Sequence, residues 1–77
     1  MLTFNAPTAA QLATFNAGGA RNIVAAVRDL RNTAAVTVSG VTLYPTLSEC
    51  RSMLTFGMAM AVPHERVVEA FDTANGK

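Results

Sequence analysis

The chain has 77 residues, of which 51% are apolar and 14% charged, with a formal net charge of +1. That composition excludes a disordered segment and gives neither nucleic acid nor a membrane surface a strong electrostatic pull. So short a chain buries roughly 60% of its unfolded surface; it forms a single domain, 1–77, whose core is barely sufficient for a monomer, and an oligomer is expected.

The first element expected is a helix over about 6–17, with Asn5 or Thr8 as its cap and Pro7 tolerated in its opening turn. Leu12 and Phe15, with Ala9 behind, share one face, and Gly18 or Gly19 ends the helix as a left-handed cap. A second helix, about 20–31, carries Ile23, Val27 and Leu30 at helical spacing, flanked by Val24 and Ala26. Arg21 and Arg28 project from its opposite face, with Arg31 nearer the boundary. Basic residues in its last turn suit the helix dipole.

A hairpin follows over about 35–44. Two alternating runs meet at a Ser39-Gly40 turn, which sets Val38 opposite Val41 and Val36 opposite Leu43. All four share one face, and Thr37, Thr42 and Tyr44 share the other, so register and pattern agree.

Pro45 stops the strand, and the segment Thr46-Leu-Ser-Glu49 reads as a capping box that opens a helix over about 46–62. Leu47, Cys50, Leu54, Met58 and Ala61 line one side of it, widened by Met53, Phe56 and Met60. So broad an apolar face belongs to a central helix or to an interface. Pro63 then begins a last helix, about 63–74, with Val67, Val68 and Phe71 inward and Glu65, Glu69 and Asp72 outward. The expected fold is α+β and mainly helical, one small domain ordered α-α-hairpin-α-α. Its two-stranded antiparallel sheet is one that dimerisation would extend, since an isolated hairpin is marginal.

The tetrapeptide Met-Leu-Thr-Phe occurs at 1–4 and again at 53–56, with a looser echo in Gln11-Leu-Ala-Thr-Phe-Asn16. No fixed period relates the three and their flanks differ, so the sequence pattern reads as apolar filler and not as a repeat architecture.

Charges are mildly uneven: residues 1–39 carry a balance of +2 and residues 40–77 a balance of −1. Cys50 is the sole cysteine, which precludes an intrachain disulfide and suggests a cytoplasmic chain. The opening MLTFNAPTAA lacks the basic region of a signal peptide. No apolar run approaches the roughly 18 residues of a membrane-spanning helix.

Catalytic chemistry finds little to build on. Cys50 sits between Leu47 and Leu54 on an apolar helix face, where a free cysteine packs as a small hydrophobe. His64 follows Pro63 in an opening turn and reads as solvent-exposed. One Cys and one His do not make a structural zinc site, and the acids form no calcium loop, so no metal or cofactor is expected. Glu65 and Glu69, one turn apart on an exposed face, read as solvated. The stretch Asn16-Ala-Gly-Gly-Ala-Arg21 places glycines before a helix N-terminus, where amides can hold an anion, yet it matches no phosphate-loop spacing.

These readings point to a non-enzymatic protein-binding module that occupies a partner's surface and self-associates. Arg21, Arg28 and Arg31, with Tyr44 as an aromatic anchor, are the expected partner contacts. Met53, Phe56 and Met60 are the expected oligomer interface. Small chains of this character are frequent among phage and mobile-element accessory proteins that inhibit or regulate a host protein, which sets the expectation of action in the host cytoplasm. The alternative is a small DNA-binding regulator using the arginine helix or the ribbon, and a viral assembly component is the third.

Overall fold

The computed structural model describes residues 1–76. In chain order it contains α1 (Ala9–Ala17), α2 (Ala20–Thr33), β1 (Val36–Val38), β2 (Val41–Leu43), α3 (Leu47–Phe56) and α4 (His64–Ala74). The fold is α+β and mainly helical, with the expected element order. The boundaries that differ most from the sequence reading are the start of α1 and the end of α3.

Residues 2–4 run extended beside residues 60–62. Thr3 faces Ala61 in an antiparallel bridge, closed by Phe4 N–H to the Met60 carbonyl at 3.0 Å and Val62 N–H to the Leu2 carbonyl at 2.9 Å. This strap drives Phe4, 1% exposed, into the centre of the core. Asn5 then turns toward the end of α2: its amide N–H donates to the Ala34 carbonyl at 3.0 Å. Its side-chain Nδ2 donates to the carbonyls of Thr33 and Ala35 at 3.2 and 3.3 Å. Asn5 therefore satisfies carbonyls that a helix C-terminus leaves open, and does not cap α1.

Thr8 caps α1 through a box with Gln11. Thr8 N–H donates to Gln11 Oε1 at 2.9 Å and Gln11 N–H to Thr8 Oγ1 at 3.1 Å. The helix accordingly begins at Ala9, not near residue 6. Gln11 is buried, and its Nε2 donates to Asp29 Oδ2 at 3.0 Å and Thr33 Oγ1 at 2.8 Å. One side chain thus both starts α1 and pins it to α2. Gly18 follows with φ 80 and ψ 178, a positive-φ turn but not the left-handed helical cap expected.

The hairpin has the register read from the alternation: Val36 pairs with Leu43, Thr37 with Thr42 and Val38 with Val41. Ser39 and Gly40 both have positive φ, 50 and 79, as a two-residue I′ loop requires. Thr37 and Thr42 hydroxyls hydrogen-bond across the outer face at 2.9 Å.

Thr46 and Glu49 form the expected capping box at the start of α3, with distances of 3.1 and 2.8 Å. The helix stops at Phe56, however, and does not reach residue 62. Gly57 takes the left-handed conformation (φ 67, ψ 30) and its N–H bonds back to the Met53 carbonyl, the form of a helix C-cap. The chain thereby leaves the helix in time for residues 60–62 to pair with the strap.

The core joins Phe4, Ala26, Val27, Leu30, Ala34, Leu43, Cys50, Met53, Leu54 and Val62. At roughly 25 cal/mol per Å² of apolar surface, large buried side chains such as Phe4, Leu30, Met53 and Leu54 dominate the stabilisation. By contrast, α4 has no buried residue. Val67 and Ala70 pack against the core, whereas Val68, expected inward, is exposed. Among the described elements the backbone of α4 approaches β2 alone. The radius of gyration is 13.3 Å, against about 11.5 Å for a compact chain of this length, and the extents are 43 × 22 × 17 Å. No helix among the described residues is long and apolar enough to cross a membrane.

Candidate functional site

The amphipathic pattern of α2 buries Ala26, Val27 and Leu30, which leaves Arg21, Arg28 and Arg31 on the solvent side. The packing of α3 against α2 adds a fourth arginine, Arg51, also exposed. Between the two helices runs an open groove of about 440 Å³. Ile23, Val24, Val27 and Arg28 of α2 and Leu47 and Arg51 of α3 line it. A second open depression, bounded by Arg28, Arg31, Asn32 and Leu47, shares Arg28 and Leu47 with it. Leu47 is 55% exposed and Val24 47%. Leu47 was expected on the inward side of its helix; as the first residue of α3 it lies where the helix begins, beyond the core layer.

The ion pairs separate the arginines into two kinds. Arg66 Nη2 donates to Glu49 Oε1 at 2.6 Å, with both side chains partly buried, and the Arg66 guanidinium lies 5.7 Å from the Phe4 ring centroid. This is the only salt bridge among the described residues. Arg21, Arg28, Arg31 and Arg51 therefore face solvent with no carboxylate partner there. Arg31 stacks over the Tyr44 ring at 4.9 Å, so two of the expected partner contacts meet directly. Tyr44 remains 45% exposed and borders an open cleft between β2 and α4 that also holds Arg66 and Glu69.

The expected oligomer residues do not stay together. Met53 is 1% exposed and lies in the chain's own core, which removes it from any interface with another molecule. Met60 is partly buried in the extended segment, packed against the core beside Phe4. Only Phe56, 74% exposed, is free to meet a second chain. Met58, which the sequence placed on the same helix side as Cys50, lies instead in the loop beyond Gly57 and is exposed beside it.

Cys50 is fully buried, and burial pushes its thiol pKa up, with the neighbouring Glu49 charge adding to the rise and Arg31 opposing it. Such a thiol is neither accessible nor disposed to form the thiolate that nucleophilic attack needs. The folded chain favours the protonated thiol, so this contribution is full below the ordinary thiol range and declines as pH rises from that range through the raised folded-state value. His64, Glu65, Glu69 and Asp72 are all exposed along α4. Among the described residues no three His, Cys, Asp or Glu side chains cluster as metal ligands. The glycine turn before α2 has positive φ at both Gly18 and Gly19, with Asn22 Nδ2 donating back to the Gly18 carbonyl at 3.0 Å.

No known protein family, curated protein or solved structure matches the chain.

Proposed function

We propose that the chain is a non-enzymatic protein-binding module that acts by occupying the surface of a protein partner. The observation that carries this reading is the segregation of its arginines. Arg66 is engaged inside the fold by Glu49, whereas Arg28, Arg31 and Arg51 are exposed around the apolar Val24 and Leu47, and Arg21 is exposed on the same helix as Val24. Exposed arginine beside exposed apolar surface is the composition of a protein interface. Tyr44, held by Arg31 and half-exposed, extends that surface toward β2.

A nucleic-acid reader would draw on the same arginines but leave Val24 and Leu47 without a role. The outer hairpin face offers Thr37 and Thr42 to a groove, hydrogen-bonded to each other and uncharged. Self-association belongs to the proposal and would use Phe56 and Met58. Inhibition or regulation of a host protein, in a phage or mobile-element setting, is the form of action such occupancy would take.

The test is to replace Arg21, Arg28 and Arg31 together by Glu. Partner capture is lost while the variant still folds and melts in one cooperative transition. Its stability falls by no more than about 1–2 kcal/mol, the contribution of the Arg31–Tyr44 contact and of the basic residue in the last turn of α2. Undiminished capture of the same partner by the triple variant would sink the assignment.

A further inference from the structure

We propose that the groove between α2 and α3 docks an acidic amphipathic helix from a protein partner. This inference rests on the protein-binding reading and specifies its occupant. Arg28 and Arg51 stand at the groove, one on each helix, and no carboxylate lines it. The nearby acids are engaged elsewhere: Glu49 holds Arg66 at 2.6 Å and Asp29 receives the Gln11 amide at 3.0 Å. The negative charge that completes the groove therefore has to come with the partner.

The apolar floor sets the rest of the chemistry. Val24 and Leu47 are exposed by 47% and 55% and line, with Ile23 and Val27, the same groove as the two arginines. An occupant with a narrow apolar stripe and acids on both flanks matches this cross-section. A helix supplies that pattern through residues spaced i, i+3, i+4 and i+7, and its backbone groups are satisfied internally. An extended segment would bring unpaired N–H and C=O groups against two helices that offer no edge to pair with. A small apolar acid would be left largely uncovered, since compact ligands are held by pockets that enclose most of their surface.

The test uses the full chain as bait for a displayed library of helical peptides of about 14 residues, four turns. The apolar stripe is fixed, and the flanking positions are drawn from Asp, Glu, Ser, Asn and Lys. Selection is expected to enrich Asp and Glu on both flanks. The enriched peptide should then lose affinity by about tenfold or more against R28E/R51E, and similarly against Leu47→Asp, as for loss of an interface anchor. Both variants should melt with the parent chain, since all three side chains are exposed.

Enriched peptides without acidic flanks, or ones that bind R28E/R51E undiminished, would overturn the groove assignment and leave a protein-binding surface elsewhere on the chain. A bait that selects no peptide but retains a duplex of about 12 base pairs, with affinity falling steeply in salt, would overturn both this inference and the protein-binding reading.

Discussion

Residues 1–4 and residues 53–56 are both Met-Leu-Thr-Phe, and the fold uses the two copies in opposite ways. In the first, Met1 and Thr3 face solvent, Leu2 is half-buried and Phe4 is 1% exposed. In the second, Met53 and Leu54 are 1% and 2% exposed, Thr55 is exposed and Phe56 is 74% exposed. The reversal follows from backbone period. An extended chain alternates its side chains, so Leu2 and Phe4 point the same way. A helix advances about 100° per residue, so Met53 and Leu54 share the inward sector while Phe56 comes round toward solvent. Identity of letters therefore says nothing about burial until the backbone around them is fixed.

What fixes it lies outside each tetrapeptide. The first copy is held extended by its bridge to residues 60–62 and by Asn5 at the end of α2. The second inherits its helical phase from the Thr46–Glu49 capping box and stops at Gly57. The two are also coupled, since the helix must end at Phe56 for residues 60–62 to be free to receive the strap.

The pair of phenylalanines gives the largest test. Phe4→Ala should destabilise the chain by about 3–5 kcal/mol, a large share of the roughly 4–12 kcal/mol expected for a domain of this size. Phe56→Ala should lie within about 0.5 kcal/mol of the parent. Urea titration of both variants reads the difference, and equal effects would end the comparison.

Gly57→Ala comes next. A β-carbon there meets only the Leu12 side chain at 4.0 Å, so the penalty is purely conformational. A positive φ of 67 in a non-glycine residue costs about 1–2 kcal/mol. A stabilised variant would mean that α3 can run on and that the strap is dispensable.

Asn5→Ala should follow at about 1 kcal/mol, for two exposed hydrogen bonds to carbonyls at the end of α2. The smallest effect is a gain. Ser39→Asn relieves a non-glycine residue at φ 50 in the hairpin loop and should stabilise by a few tenths of a kcal/mol, because Asn is favoured there. It touches neither tetrapeptide and so serves as a control on the comparison.

Much of the fold was legible locally. The alternation over 35–44 contained its own register, because a two-residue turn leaves one pairing that puts all four apolar residues on one face. Thr46 and Glu49 announced a helix start at fixed spacing. The strap was hidden for a corresponding reason. Four residues are too few to display a period, and their partners at 60–62 lay within an apolar pattern that continued as if helical. Gly57 was the one stop signal inside it, and a single glycine within such a pattern is often tolerated.

The candidate site divides in the same way. Arg21 and Arg28 were visible because the inward stripe of α2 assigns them to the opposite face, with Arg31 nearer the boundary. Which arginine is engaged was not visible, since the Glu49–Arg66 pair joins residues 17 apart on separate helices. Arg51 and Leu47 reach the groove only through the packing of α3 on α2. That tertiary step also withdraws Met53 from the expected interface.

The most direct measurement is an amide chemical-shift map of the isotope-labelled chain titrated with an acid-flanked peptide from the helical library. The largest shifts are expected on Val24, Arg28, Leu47 and Arg51, with Phe56 and Met58 unmoved. Shifts concentrated at Phe56 and Met58, with the α2–α3 groove silent, would contradict the groove assignment and transfer the working surface to the exposed end of the second tetrapeptide.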